Sequence, residues 1–410
     1  MAFSIRMVFT SGFLLTLLAS LATAASGGNT VTAADASNRP QLTDTQAVDH
    51  TIAKYLAQAG TLTGANGAGL VTDHWLPPAV GDVNQFVPTY TVAADGSGTH
   101  TTLQAAIDAV PAAKTSSTRV YIRVLPGTYR EVLCVKDKAP ITLYGLSTDA
   151  SQVLIANGNY NGQAKVAGAE AGNPCNPSAS SATVGTSGSA SVAIYSAEFH
   201  AKNISFANDA MQAVVGGLGY PPGASGTGGA QAVALMTQGD KLVFDNVRVL
   251  GHQDSLYVKT ASTTSVARVY FKNSFIQGDV DFIFGRGTLV LDGCTIHYLS
   301  TRLPQGQPAT MLAPSTAANN DYGILVHASR FTADAGTVAG SIYLARAWDE
   351  SVPKGTYVAG QSPNGQLLVR NSTLGQHIRT LDPWGTSTSG RAYSDTGNRF
   401  SEHRNQLAAP

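Results

Sequence analysis

The sequence predicts an all-β protein, a single-stranded parallel β-helix, and three observations carry that prediction. The stretch 242–257, L-V-F-D-N-V-R-V-L-G-H-Q-D-S-L-Y, aligns without a gap on V-Y-F-K-N-S-F-I-Q-G-D-V-D-F-I-F-G, which begins at Val269. Asn246 falls on Asn273, Gly251 on Gly278 and Asp254 on Asp281, each 27 residues apart. The same unit, an apolar strand, a turn at a small or amide residue and a second short apolar strand, recurs around Asn203, Gly293, Ala328 and Asn371. The six turn positions are separated by 43, 27, 20, 35 and 43 residues, as expected for coils of about 20 residues carrying loop insertions. Asn tolerates left-handed backbone and suits a sharp corner between coil faces. A β-sandwich does not predict gap-free alignment of successive units.

Taken in order, residues 1–24 read as a secretory signal: Arg6, an apolar run at 13–18, then Ala22-Thr23-Ala24. That run is too short for a membrane span, so an exported protein, secreted or periplasmic, is expected. Residues 25–88 form an N-terminal extension in which 43–58 has the spacing of one amphipathic helix, with Val48, Ile52, Tyr55 and Leu56 on a face. The coiled region is expected over 89–379, opening with a strand at 86–94. A short capping helix follows from Thr101, with a capping box to Gln104 and a stripe of Leu103, Ala106, Ile107 and Val110. That helix would close the first coil, whose strand edges are otherwise open. Strands are expected at 120–124, 131–135, 141–144 and 153–155. Gly-, Ala- and Ser-rich excursions at 158–191 and 216–229 precede strands that enter the site and are candidates to wall a groove. Residues 380–410 lose the strand pattern and read as a terminal cap.

Composition narrows the function. Of 410 residues 43% are hydrophobic and only 13% charged, with 26 basic balanced by 26 acidic and 42 glycines. No basic run interleaved with aromatics points to nucleic acid. The three cysteines, Cys134, Cys175 and Cys294, lack zinc-site spacing and read as structural, with one bridge and one thiol or no bridge both open.

The chemistry centres on the repeat itself. Equivalent positions of adjacent coils lie roughly 4.8 Å apart, so Asp254 and Asp281 should stand side by side, and two carboxylates that close split their pKa values. The same face should hold Gln231, Gln253, Arg346 and Trp348. One Asp, held ionised by the Arg, can be a nucleophile, and the other, kept protonated, can act as general acid and then base. Glutamine amides can stabilise an oxyanion and Trp can seat a sugar ring. His252 reads as a packed or groove-lining residue.

Five motifs in order, Gly127-Thr-Tyr-Arg-Glu131, Gln231-Ala-Val-Ala-Leu235, Gly251-His-Gln-Asp-Ser-Leu256, Asp281-Phe-Ile-Phe-Gly285 and Leu344-Ala-Arg-Ala-Trp348, make the chain resemble the pectin methylesterases. That resemblance implies a right-handed parallel β-helix of the pectin lyase-like kind and hydrolysis of the C6 methyl esters of homogalacturonan. It implies Asp281 as nucleophile, Asp254 as general acid/base, Gln253 and Gln231 as oxyanion donors with Gln253 the closer, and Arg346 orienting Asp281. Trp348 and Phe282 would line the sugar subsites. No metal or organic cofactor, no stable membrane insertion and a monomer acting on a polysaccharide are implied. The chain departs from the family at Ala345 and Ala347, where Gly and Pro are usual, at Ser255, where Thr is usual, and at His252, where an aromatic is common. The extension and long loops resemble a bacterial branch that includes a thioesterase-like protein with altered catalytic motifs, whereas both Asp and both Gln survive here. Hydrolysis of another ester or thioester, and a catalytically silent polysaccharide-binding β-helix, are the competing readings.

Overall fold

A computed structural model describes residues 38–62, 71–166, 172–177, 181–224, 229–394 and 399–409. The expected signal segment lies outside them. Among the described residues the strands form three long parallel sheets of ten, nine and seven strands, plus one two-stranded antiparallel pair. The chain visits the ten-, nine- and seven-stranded sheets in turn, as Leu242–Asp245, Arg248–Leu250 and Leu256–Val258 do before Arg268–Lys272, Phe275–Gly278 and Ile283–Gly285 repeat the circuit. This is a parallel β-helix, with each circuit stacked on the one before.

The recurring turn residues do the work expected of them. Asn203, Asn246, Asn273, Ala328 and Asn371 have φ between 46° and 58°, and Gly293 has φ 65°. Left-handed backbone at one residue turns the chain sharply between sheets, and Asn bears it with little penalty. The amides also bond coil to coil: Asn246 Nδ2 donates to Asn203 Oδ1 at 2.8 Å, and Asn203 Nδ2 to the Gly145 carbonyl at 3.2 Å. Inside, equivalent side chains stack. Phe244 pairs with Phe271 in the strand register and their rings lie 4.4 Å apart at 12°. Burying such a side chain stabilises the fold by about 1.5–3 kcal/mol, repeated in every coil.

Both ends differ in detail from the sequence expectation. The first strand of the coiled region is Tyr90–Val92, and the capping helix is Leu103–Asp108 with Thr102, not Thr101, as its N-cap. No capping box forms, because this start puts Ala105 at the position that would have to reach back; Gln104 accepts from the Cys134 N–H at 2.9 Å and donates to its carbonyl at 3.2 Å. The first-turn amides of Leu103 and Gln104 instead donate to the Glu131 carboxylate, both at 3.0 Å, an anion stabilised at a helix N-terminus. The expected stripe of Leu103, Ala106, Ile107 and Val110 is buried. At the other end, Arg399–His403 and Gln406–Leu407 extend the ten- and nine-stranded sheets by one more coil, so 380–410 is partly strand.

The N-terminal segment lies across the ten-stranded sheet. It is two short helices, Asp44–Ala47 and Ile52–Ala57, and not one, because Thr51 caps the second and leaves Val48 61% exposed. Tyr55 and Leu56 pack on Val243, Tyr270, Val290, Leu325 and Leu368. Ion pairs pin the segment: Arg39 with Glu402 at 2.8 Å, both buried, and buried Arg268 between the partly exposed Asp73 and Asp240. Cys134 and Cys175 form a disulfide, while Cys294 is a buried thiol. No helix among the described residues is long and apolar enough to cross a membrane.

Candidate active site

The outer face of the seven-stranded sheet holds a cavity of about 360 Å³. Gln231, Gln253, Asp254, Asp281, Arg346 and Trp348 all line it, so six of the seven residues singled out from the sequence converge. The strand register pairs Leu256 with Ile283, which sets Asp254 and Asp281 at matching points of successive coils. Both are left-handed, with φ 67° and 46°, and both are about 7% exposed. Main-chain bonds hold them there: Asp254 N–H donates to the Val280 carbonyl at 3.1 Å and Asp281 N–H to Thr310 at 2.6 Å.

Their environments differ. Arg346 Nε donates to Asp281 Oδ1 at 2.9 Å, and Nη2 of the same guanidinium bonds the other oxygen. This two-pronged arrangement fixes the orientation of the Asp281 side chain. Among the described residues Asp254 has no such partner. Burial, and after it the Asp281 charge, push its carboxyl well above the usual range, and Arg346 only partly opposes this. The site therefore sets an aspartate gripped by a guanidinium beside one whose carboxyl burial pushes up.

The seventh residue is a correction. Phe282, expected in the sugar subsites, is fully buried in the interior cluster. The left-handed turn at Asp281 breaks the strand alternation, so Phe282 and Ile283 both point inward and Phe284 points out. Phe284 and Tyr257 line the cavity instead, their rings stacked at 4.3 Å and both edge-on to Trp348, at 5.4 and 5.8 Å. A signal for them existed: each lies three residues beyond its aspartate, 27 apart in the repeat.

Asn161 was also not foreseen. Its Nδ2 donates to Gln231 Oε1 at 2.7 Å, which commits the amide oxygen and leaves the NH2 as the end with donors to spare. Thr186 and Ser187 reach the cavity from the 158–191 excursion, which the disulfide and Asn173 tie to the strand Leu133–Val135. The described part of the 216–229 excursion does not line the cavity. Its Tyr220 stacks on Tyr160 at 6.0 Å, beside Asn161.

Ala345 and Ala347 are fully buried and held through their main chain, Ala345 accepting from Gly385 N–H at 2.8 Å and Ala347 from Thr388 N–H at 3.1 Å. Arg346 between them still reaches Asp281. His252 is packed, as expected. Its Nδ1 lies 3.0 Å from Asp279, which Arg302 also grips through two bonds of 2.7 Å. Burial would raise Asp279, but bonds from Arg302 and His252 hold it below the usual range.

Comparison with known proteins adds the following. The family model described as Pectinesterase matches residues 89–352. A pectinesterase of Ralstonia nicotianae is 46% identical over 399 residues, covering 94% of this chain and 96% of its own. The solved rice weevil pectin methyl esterase superposes with a TM-score of 0.72 at 31% identity, covering 90% of this chain and 97% of that one. The solved Escherichia coli YbhC superposes with a TM-score of 0.73 at 27% identity over 91% of this chain and 95% of that one. YbhC is described as a putative acyl-CoA thioester hydrolase, and its sequence is 31% identical over 70% of this chain and 66% of its own.

Proposed function

The chain belongs to the pectinesterase family of carboxylic ester hydrolases, and from that premise we propose that it hydrolyses the C6 methyl esters of homogalacturonan, after export, through an acyl-enzyme on Asp281. The observation that supports this reading above the others is the asymmetry of the stacked aspartates, one bonded to Arg346 and the other raised by burial.

In the proposed mechanism an ionised Asp281 oxygen attacks the ester carbonyl carbon, and the carbonyl electrons move to oxygen. Amide donors of Gln253 and Gln231 stabilise that oxyanion. Collapse breaks the bond to the methoxy oxygen, which takes the Asp254 proton and leaves as methanol. The acyl group is then an anhydride on Asp281. Asp254, now a carboxylate, removes a proton from water as the water oxygen attacks the same carbon. The second collapse releases the galacturonate acid, which ionises in solution, and returns Asp281 as carboxylate and Asp254 as acid. Arg346 keeps the attacking oxygen aimed, and Trp348, Tyr257 and Phe284 offer an apolar wall for sugar rings.

Thioester hydrolysis is favoured by one observation, the likeness to YbhC. The aromatic row and intact acid, base and donor set favour the pectin ester. Methanol release from highly esterified pectin, set against thiol release from acyl-CoA, tests the choice: release of methanol with no thiol is expected, and the reverse would overturn the reading.

A further inference from the structure

A third carboxylate lines the cavity, and the mechanism does not use it. Glu350 follows Trp348 by two residues and is about a quarter exposed. Its Oε2 accepts from Arg286 Nε at 3.0 Å and Nη2 at 2.6 Å, and from Ser315 Oγ at 3.3 Å. Arg286 and Ser315 lie two residues beyond Phe284 and Ala313, which are paired in the sheet. The ion pair therefore stands just past the aromatic wall, on the side away from the aspartates.

Resting on the pectinesterase reading, we propose that Glu350 is a specificity-determining residue that selects a methyl-esterified, neutral galacturonate at the subsite beside Trp348. Uronates of a pectin chain come in two forms, a neutral methyl ester and an anion. Arg346 is the only cation among the described residues that line the cavity, and Asp281 occupies it. Arg286 is turned onto Glu350. Neither guanidinium is thus left to receive the carboxylate of a neighbouring sugar, while Glu350 presents a partly exposed negative charge to it. A methyl ester in that place meets no such repulsion, and its methyl group can lie on the Trp348 and Phe284 rings. The enzyme should then work fastest on densely esterified stretches and slow as its own product carboxylates accumulate beside the next target.

The test compares kcat/KM for methanol release from a highly esterified and a partly de-esterified pectin, taking the ratio between the two substrates within each protein. Wild type should favour the esterified polymer. Glu350→Gln removes the charge and leaves Arg286 unpaired, so the ratio should fall about fivefold, the rough worth of one partly screened charge contact. Arg286→Gln leaves Glu350 uncompensated and should raise the ratio; it also serves as the independent variant should Glu350→Gln fail to fold. Added salt should narrow the wild-type ratio. Equal ratios in all three proteins, with methanol still released, would overturn the proposal and leave the esterase reading standing. No methanol from wild type on either pectin would overturn the esterase reading itself, and this inference with it.

Discussion

Asp254 and Asp281 occupy matching points of successive coils, yet Arg346 bonds Asp281 and not Asp254. Both are left-handed and equally buried. Backbone and burial therefore do not distinguish them, and the guanidinium does. A repeat that by itself would make two identical carboxylates is made asymmetric by one side chain from a later coil, which grips Asp281 while burial pushes the Asp254 carboxyl up.

That asymmetry has a consequence for stability. Below about pH 4 the Asp254 carboxyl is protonated in both folded and unfolded chains. As pH rises further, the unfolded chain ionises first while the buried carboxyl resists, so folding is progressively disfavoured up to the raised pKa. Asp254→Asn should accordingly be more stable than wild type at pH 7, with the gap closing toward pH 4. Urea unfolding at a series of pH values measures this, and a gap independent of pH would contradict it.

Asp279 presents the opposite case, a fully buried anion balanced by Arg302 and His252. Arg302→Ala leaves that charge without its main partner. A loss of about 3–5 kcal/mol in unfolding free energy is expected. A loss under about 1 kcal/mol, the worth of a surface pair, would show that the network is not buried as described.

The Cys134–Cys175 bridge, 41 residues apart in sequence, ties to the strand Leu133–Val135 the excursion that further on carries Thr186 and Ser187 to the cavity wall. Cys134→Ser should cost about 2–4 kcal/mol. A reducing agent should lower the melting temperature of wild type and leave that of Cys134→Ser unchanged. A wild type indifferent to reductant would contradict the assignment.

Asn161 fixes which end of the Gln231 amide is free to donate. Loss of one oxyanion donor costs about 100-fold or more, and a donor that is merely misoriented should cost about tenfold in kcat with KM little changed. Asn161→Ala measures it, and an unchanged kcat would remove Gln231 from the proposed oxyanion site.

Much of this architecture is legible in the sequence because a solenoid repeats its own constraints. The turn positions inferred from alignment alone are the residues with left-handed backbone, and the 27-residue register that pairs Asp254 with Asp281 also pairs Phe244 with Phe271. What escaped was set by contacts without a period. The capping helix starts at Thr102, one residue late for a box with Gln104, and takes the Glu131 carboxylate from 28 residues away at its first turn, and Thr51 divided what looked like one helix. Strand alternation would set Phe282 and Phe284 on one face, but beside the turn at Asp281 they part, Phe282 to the interior and Phe284 to the cavity. The last coil was missed because Arg399–His403 mixes polar residues into the strand, with Glu402 buried against Arg39 from the opposite end of the chain.

The central claim, that stacked aspartates with opposite protonation carry out ester hydrolysis, is tested most directly by methanol release from highly esterified pectin by wild type, Asp281→Asn and Asp254→Asn side by side. The account predicts steady release by wild type and loss of turnover in both variants. Turnover retained in either variant would move the chemistry away from that residue and contradict the two-aspartate account.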